Sequence, residues 1–90
     1  MSDKPLTARE AAIRILYKIE KEDAYANLET AKVLKDINLS ENEKRLTREL
    51  VYGGISQKLV LDYILNQLLK KPLESLPLWI ILILRISLYQ

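Results

Sequence analysis

Thr7-Ala8-Arg9-Glu10-Ala11-Ala12-Ile13-Arg14-Ile15-Leu16-Tyr17-Lys18-Ile19 reads as an amphipathic helix with its own start signal. Ala8, Ala11, Ala12, Ile15, Leu16 and Ile19 recur at i, i+3, i+4, i+7, i+8 and i+11, the period of one helix face. Thr7 and Glu10 stand at capping-box spacing: the threonine hydroxyl accepts from the Glu10 amide while the glutamate reaches back to the Thr7 amide. The helix should fade at Glu22-Asp23, where two acids meet the unfavourable end of the dipole.

The same period continues outward. A short second helix is expected over about Leu28 to Asp36, with Leu28, Ala31, Val33 and Leu34 inward, followed by a connector over Ile37 to Leu39. Ser40-Glu41-Asn42-Glu43 is a second capping-box pattern. The helix after it should carry Leu46, Leu50 and Val51 inward, and Glu43, Lys44, Arg45 and Arg48 outward. Gly53-Gly54 either ends that helix or lets another approach closely. Leu61, Ile64, Leu65, Leu68 and Leu69 resume the period, Lys70-Lys71 suit a helix C-terminus, and Pro72 stops it. Ser75-Leu76-Pro77 begins a last helix with proline in its first turn. From Trp79 to Leu88 that helix is apolar on nearly every side and calls for burial all round. The pattern is still running at Gln90, so the chain is expected to be a fragment of a larger domain or protein.

Composition supports an all-α bundle of about five helices. Leu and Ile fill 28 of 90 positions, while glycine and proline total five. Ninety residues make one domain at most. A disordered tail, a collagen-like repeat and a disulfide scaffold are excluded by 49% hydrophobic residues and zero cysteines. The absence of both cysteine and histidine removes thiol nucleophiles, imidazole bases and the usual zinc ligands. No carboxylate pair stands at a catalytic spacing, and Gly53-Gly54 is no phosphate loop. The chain therefore reads as a non-enzymatic module, with no catalytic residue, metal or cofactor of its own. Met1 to Pro5 are polar and carry no secretory pattern, and Arg85 interrupts the most apolar run, Leu78 to Leu84. These features lead to the expectation of a cytoplasmic protein without a membrane segment.

A net charge of +2 leaves the distribution of charge to carry any functional signal. Arg14, Lys18 and Lys21 form an i, i+4, i+7 stripe with Tyr17 beside it, read as lying opposite the apolar face. Such a stripe suits phosphates, and an exposed aromatic suits an unpaired base. The plainer reading of the same stripe, and the one the residues alone favour, is a solvated face in which Glu10 pairs with Arg14. Arg45 and Arg48, with Lys44, form a second cluster open to the same two readings, Glu41 and Glu49 being the pairing partners. Arg85 inside an apolar helix needs a carboxylate or several carbonyls; Asp62 on the preceding helix is a candidate partner, which favours a structural ion pair over a ligand contact. Tyr52, Tyr63 and Tyr89 read as core residues with wet hydroxyls, and Trp79 as packing.

Three segments in order resemble one family. They are Ala8-Arg9-Glu10-Ala11-Ala12 leading to Ile15-Leu16; Glu49-Leu50-Val51-Tyr52-Gly53 followed by Leu61-Asp62; and Pro72-Leu73, Leu76-Pro77, then Ile83-Leu84-Arg85-Ile86 with Tyr89-Gln90. Together they resemble the NusB-like all-helical domain, and within it the N-terminal domain of RsmB/Sun-type rRNA cytosine-5 methyltransferases. The resemblance implies a helical bundle that continues past Gln90, and it implies RNA binding, with Arg9 and Arg45 matching basic positions. It gives Gly53 a structural place in the pattern. The methyltransferase pattern has a basic residue about three positions after Gly53, whereas here Ser56-Gln57 precede Lys58.

The resemblance also implies partners. As a methyltransferase accessory domain, this chain would hold small-subunit rRNA through Arg9, Arg14, Tyr17, Lys18, Lys21, Arg45 and Arg48. The S-adenosylmethionine chemistry would belong to a catalytic domain elsewhere. Two alternatives stand beside it. One is a transcription antitermination factor that binds RNA together with a ribosomal protein. The other is a protein–protein scaffold using the apolar final helix, which could also join two copies in a dimer.

Overall fold

A computed structural model describes residues 7–36 and 39–90 of the chain. Five α-helices follow one another: α1 (Ala8–Glu22), α2 (Ala26–Asp36), α3 (Glu41–Ser56), α4 (Lys58–Leu68) and α5 (Leu78–Tyr89), with a 3-10 turn at Leu73–Ser75 before the last. No strand occurs among the described residues. Ile37 and Asn38 of the expected connector, and the leading Met1 to Pro5, lie outside them.

The first helix is built as its sequence dictates. The Thr7 hydroxyl accepts from the Glu10 amide at 3.1 Å, and Glu10 accepts from the Thr7 amide at 3.0 Å. Ala8, Ala11, Ala12, Ile15 and Leu16 are buried. The helix ends at Asp23, which takes the left-handed conformation at φ 56°, a turn that Asp tolerates better than most side chains. From this position α1 packs against α2, α3 and α5, so it is the central helix. Its three alanines let neighbours approach closely. The main core joins Ala12, Ile15 and Leu16 of α1 to Leu50 and Val51 of α3 and to Leu82 and Ile86 of α5. A smaller cluster, Ala11, Leu34 and Leu39, holds α2.

The glycine pair does not end its helix; α3 runs through it to Ser56. Gly54 is buried, and a Cβ there would meet Leu16 of α1 at 3.4 Å and Ile86 of α5 at 3.9 Å. A Cβ on Gly53 would fall within the Tyr89 ring. The pair is thus where α1 and the end of α5 cross α3 at close range. The chain then bends at Gln57, whose amide still bonds the Gly53 carbonyl at 2.9 Å and whose carbonyl begins α4. Pro72 leads into the 3-10 turn, and the Asn66 side chain accepts the Leu73 amide at 2.9 Å, fixing that turn to α4. Lys70 and Lys71 lie in the segment after α4, which stops at Leu68.

Several inward assignments shift. The second helix starts at Ala26, two residues earlier than the apolar pattern suggests. Leu28 is 64% exposed and Ala31 is exposed, while Thr30 and Leu34 are buried. In α3 the core face is Thr47, Leu50, Val51 and Gly54, and Leu46 stands at the surface. Thr47 can be buried because its hydroxyl donates to the Glu43 carbonyl at 2.8 Å. The second capping box is one-sided: Ser40 accepts from Glu43 at 3.2 Å, and no return bond is made.

Candidate nucleic-acid interface

Two structural demands sort the cations of this chain. The first is the ion network beneath α5. Arg85 is 7% exposed and donates twice to Asp62 of α4, Nε to Oδ1 at 2.7 Å and Nη2 to Oδ2 at 2.9 Å. Its Nη1 lies 3.7 Å from Glu20 of α1, and Glu20 also receives Lys58 at 3.0 Å. One guanidinium thereby ties α1, α4 and α5 together. Arg85 and Asp62 also wall a shallow cleft of about 260 Å3 whose other polar groups are Asn66 and Glu74. The guanidinium donors face Asp62 and Glu20 and not the cleft. Lys58, which stands near the place of the basic residue in the methyltransferase pattern, is held in this network and is not free for phosphate.

The second demand is pairing along the helices. Lys18 approaches Glu22 at 3.9 Å and Lys44 approaches Glu41 at 3.8 Å. The expected Glu10–Arg14 pair does not form, because Glu10 is held in the cap by Thr7. Arg14 and Lys21 are exposed and make no ion pair among the described residues. Arg45 and Arg48 are likewise exposed and unpaired among the described residues; neither Glu41 nor Glu49 reaches them. They lie on the outer side of α3, opposite Thr47, Leu50 and Val51. Arg9 has another role: its Nε donates to the Gln90 side chain, linking the start of α1 to the end of α5.

The aromatic residues are placed differently from their sequence reading. Tyr17 does not stand opposite the apolar face. It is partly buried against the core and stacks on Trp79 of α5, with ring centroids 4.0 Å apart and planes 13° from parallel. Tyr17 can reach α5 because α1 is covered on three sides, so its contact face is wider than one apolar stripe. Tyr52, Tyr63 and Tyr89, expected in the core, are 43%, 68% and 38% exposed. Tyr52 follows Arg48 by one helical turn on the outer side of α3, a juxtaposition that i, i+4 spacing could have revealed. Trp79, Ile80 and Ile83 also remain about half in water, so α5 is covered on only part of its circumference.

Among the described residues, no helix is long and apolar enough to cross a membrane, and no acidic cluster is arranged to hold a metal ion. Arg14 with Lys21 and Arg45 with Arg48 are unpaired and each set is next to an aromatic residue in the sequence, while Lys32, Lys35, Lys70 and Lys71 are also exposed and unpaired among the described residues. That arrangement of charge and aromatic rings is of the kind that suits a phosphodiester strand.

Comparison with known proteins identifies the family. The NusB family profile matches residues 6–90. A probable ribosomal RNA small subunit methyltransferase B from Bacillus subtilis (strain 168) is 41% identical over 87 residues, covering 97% of this chain and 19% of that protein. A protein of the same description from Synechocystis sp. (strain ATCC 27184 / PCC 6803 / Kazusa) is 32% identical over 85 residues, covering 94% of this chain and 19% of its own length. The chain thus spans about a fifth of the length of the curated relatives it matches. No solved structure is a significant match.

Proposed function

The chain belongs to the NusB family, and from that premise we propose that it is the RNA-binding accessory domain of a small-subunit rRNA cytosine-5 methyltransferase. The observation that carries this reading is the match of nearly the whole chain to the N-terminal region of two proteins described as small-subunit rRNA methyltransferases. Residues 1–90 would form one RNA-holding unit. Catalysis and S-adenosylmethionine binding would lie in another part of a longer polypeptide. The domain acts by binding and orienting rRNA. Arg14 and Lys21, assisted by Lys18, contact backbone phosphates, and Arg45 with Arg48 offer a second contact. Arg9 contributes from the N-terminal turn of α1. The relatives favour this over an antitermination factor that binds RNA with a ribosomal protein.

The test is fluorescence anisotropy of a labelled small-subunit rRNA hairpin titrated with the chain across a salt series. Log affinity should fall linearly with log salt, by slightly less than one unit for each phosphate contacted. No binding at low salt by a helical sample would overturn the reading.

A second reading has its own observation. Leu59, Val60, Tyr63 and Leu68 on α4, and Ile80 with Ile83 on α5, are large apolar side chains left 42–84% exposed. Scattered apolar exposure is ordinary, but this density on two adjacent helices suits a protein contact. Under that reading the domain docks on a catalytic domain or on a second copy through α5. Replacing Ile80 or Ile83 with Glu should then abolish association in light scattering. Unchanged particle mass before and after the substitution would refute it.

A further inference from the structure

The aromatic pair where α1 meets α5 has no role in phosphate contact. Tyr17 covers one face of the Trp79 indole, with 4.0 Å between centroids and a 13° interplanar angle. Trp79 still keeps 45% of its surface in water. With Tyr17 on one face, a ligand can reach the indole only by its opposite face or its edge. Stacking on Tyr17, itself packed against the core, orients the indole before any ligand arrives, which lowers the entropic cost of binding.

Charge stands beside it. Arg14 precedes Tyr17 by three residues and Lys21 follows it by four, so both share its side of α1. They are two turns apart, about 10 Å along the axis, and bracket Tyr17 along the helix. Both are exposed and unpaired among the described residues. A rigid aromatic face flanked by two free cations is the arrangement by which proteins hold unpaired nucleotides. The base lies on the ring and the backbone lies on the cations.

We propose that the outer face of Trp79, backed by Tyr17, is a stacking platform for one unpaired RNA base, with Arg14 and Lys21 holding the adjoining phosphates. This deepens the RNA-binding reading and rests on it. It moves the base contact from Tyr17, whose ring face is occupied, to its neighbour on α5. An apolar protein partner would not need cations at this edge, whereas a single strand would use both features. Bases within a duplex are already stacked on each other, so the platform selects loops, bulges and single strands.

Trp79 is the only tryptophan in the chain, so its emission reports this platform alone. The full chain is titrated at low salt with a short labelled oligouridine and, separately, with an abasic ribose-phosphate strand of equal length. Anisotropy of the label gives occupancy, and Trp79 emission gives stacking. Oligouridine should quench Trp79 in step with occupancy. The abasic strand should bind more weakly, with a similar salt dependence, and leave the emission unchanged. Trp79→Leu should weaken oligouridine binding about tenfold and barely alter abasic binding, and Trp79→Phe should keep most of the affinity. If Trp79→Leu proves unfolded by circular dichroism, Trp79→Phe and the quenching of the unaltered chain still decide. Oligouridine binding with unchanged Trp79 emission would overturn the platform and leave RNA binding standing. If neither strand binds at low salt, the RNA reading and the platform fall together.

Discussion

Asp62→Ala should destabilise the fold more than any other change outside the apolar core. Asp62 supplies both acceptors for the bidentate bond to Arg85, at 2.7 and 2.9 Å. Without it, a guanidinium that is 7% exposed keeps one carboxylate neighbour, Glu20, at 3.7 Å. That distance is too long for a good hydrogen bond, and Glu20 already serves Lys58 at 3.0 Å. Removing one member of a buried pair costs about 3–5 kcal/mol. The cleft beside Arg85 lets water approach and Glu20 can turn toward it, so the lower end, about 3 kcal/mol, is expected. Small domains have only about 5–15 kcal/mol in total, and a loss of this size should lower the melting temperature by roughly 12–24 °C. The informative partner is the double change Asp62→Leu with Arg85→Met, which removes both charges and keeps volume. It should recover to within about 1 kcal/mol of the parent. Urea unfolding followed by far-ultraviolet circular dichroism measures all three proteins. A loss below about 1 kcal/mol for Asp62→Ala would mean that the pair behaves like a surface bridge, and the reasoning would be refuted.

Other changes test smaller parts of the same account. Thr30 is 3% exposed and its hydroxyl has no partner among the described residues, so Thr30→Val should raise stability by about 1 kcal/mol in the same melts. Thr7→Ala removes the hydroxyl that accepts the Glu10 amide but keeps the backbone amide that donates back to Glu10, and it should cost about 1 kcal/mol, as should Ser40→Ala, which also loses one side-chain cap bond. Gly54→Ala places a methyl in ordinary contact with Leu16 and should gain up to about 1 kcal/mol of helix propensity. Gly53→Ala should show no such gain, because the Tyr89 ring must swing away. Arg14→Ala should lower the salt slope of RNA binding by about one, whereas Lys58→Ala should leave the slope unchanged, since Lys58 is already paired.

Local signals carried most of the fold, and their failures have physical causes. Thr7, Ser40, Pro72 and Pro77 mark element ends because caps and prolines act through a few neighbouring atoms. The Asp62–Arg85 pair was foreseeable because an arginine in an apolar helix has few ways to be accommodated. Its link to Glu20 depends on α1 passing beside α5, which no local pattern encodes. In α3 the register Thr47, Leu50, Val51, Gly54 has helical spacing and was available in the sequence. Weighting residues by hydrophobicity instead favoured Leu46, although a threonine bonded to its own helix can be buried and a glycine can sit under a crossing. The same weighting chose Leu28 over Thr30. Tyr17 was misplaced because a central helix has no single outer face. The exposure of Trp79 was hidden because an apolar run states what could be buried, not how many neighbours arrive to bury it.

The charge of the chain gains meaning only after the structural cations are set aside. A formal net charge of +2 is too small for bulk attraction to hold a polyanion, so any RNA affinity must come from local placement. Arg85 and Lys58 neutralise buried or half-buried acids, Lys18 and Lys44 face acids on their own helices, and Arg9 is engaged by Gln90. The carboxylate-paired groups release fewer counterions on binding, because acids already compete for their charge, whereas the neutral Gln90 amide leaves the charge of Arg9 uncompensated. Arg14 and Lys21 lack such partners among the described residues, and so do Arg45 and Arg48. Each set lies within a helical turn of an exposed or half-exposed aromatic ring. Few phosphates would be contacted, so electrostatics alone would give modest affinity with a shallow salt slope. A useful interaction then needs a second contribution that salt does not screen. Base stacking supplies one, at roughly 1–3 kcal/mol per base, and this is why the open face of Trp79 matters more here than another lysine would.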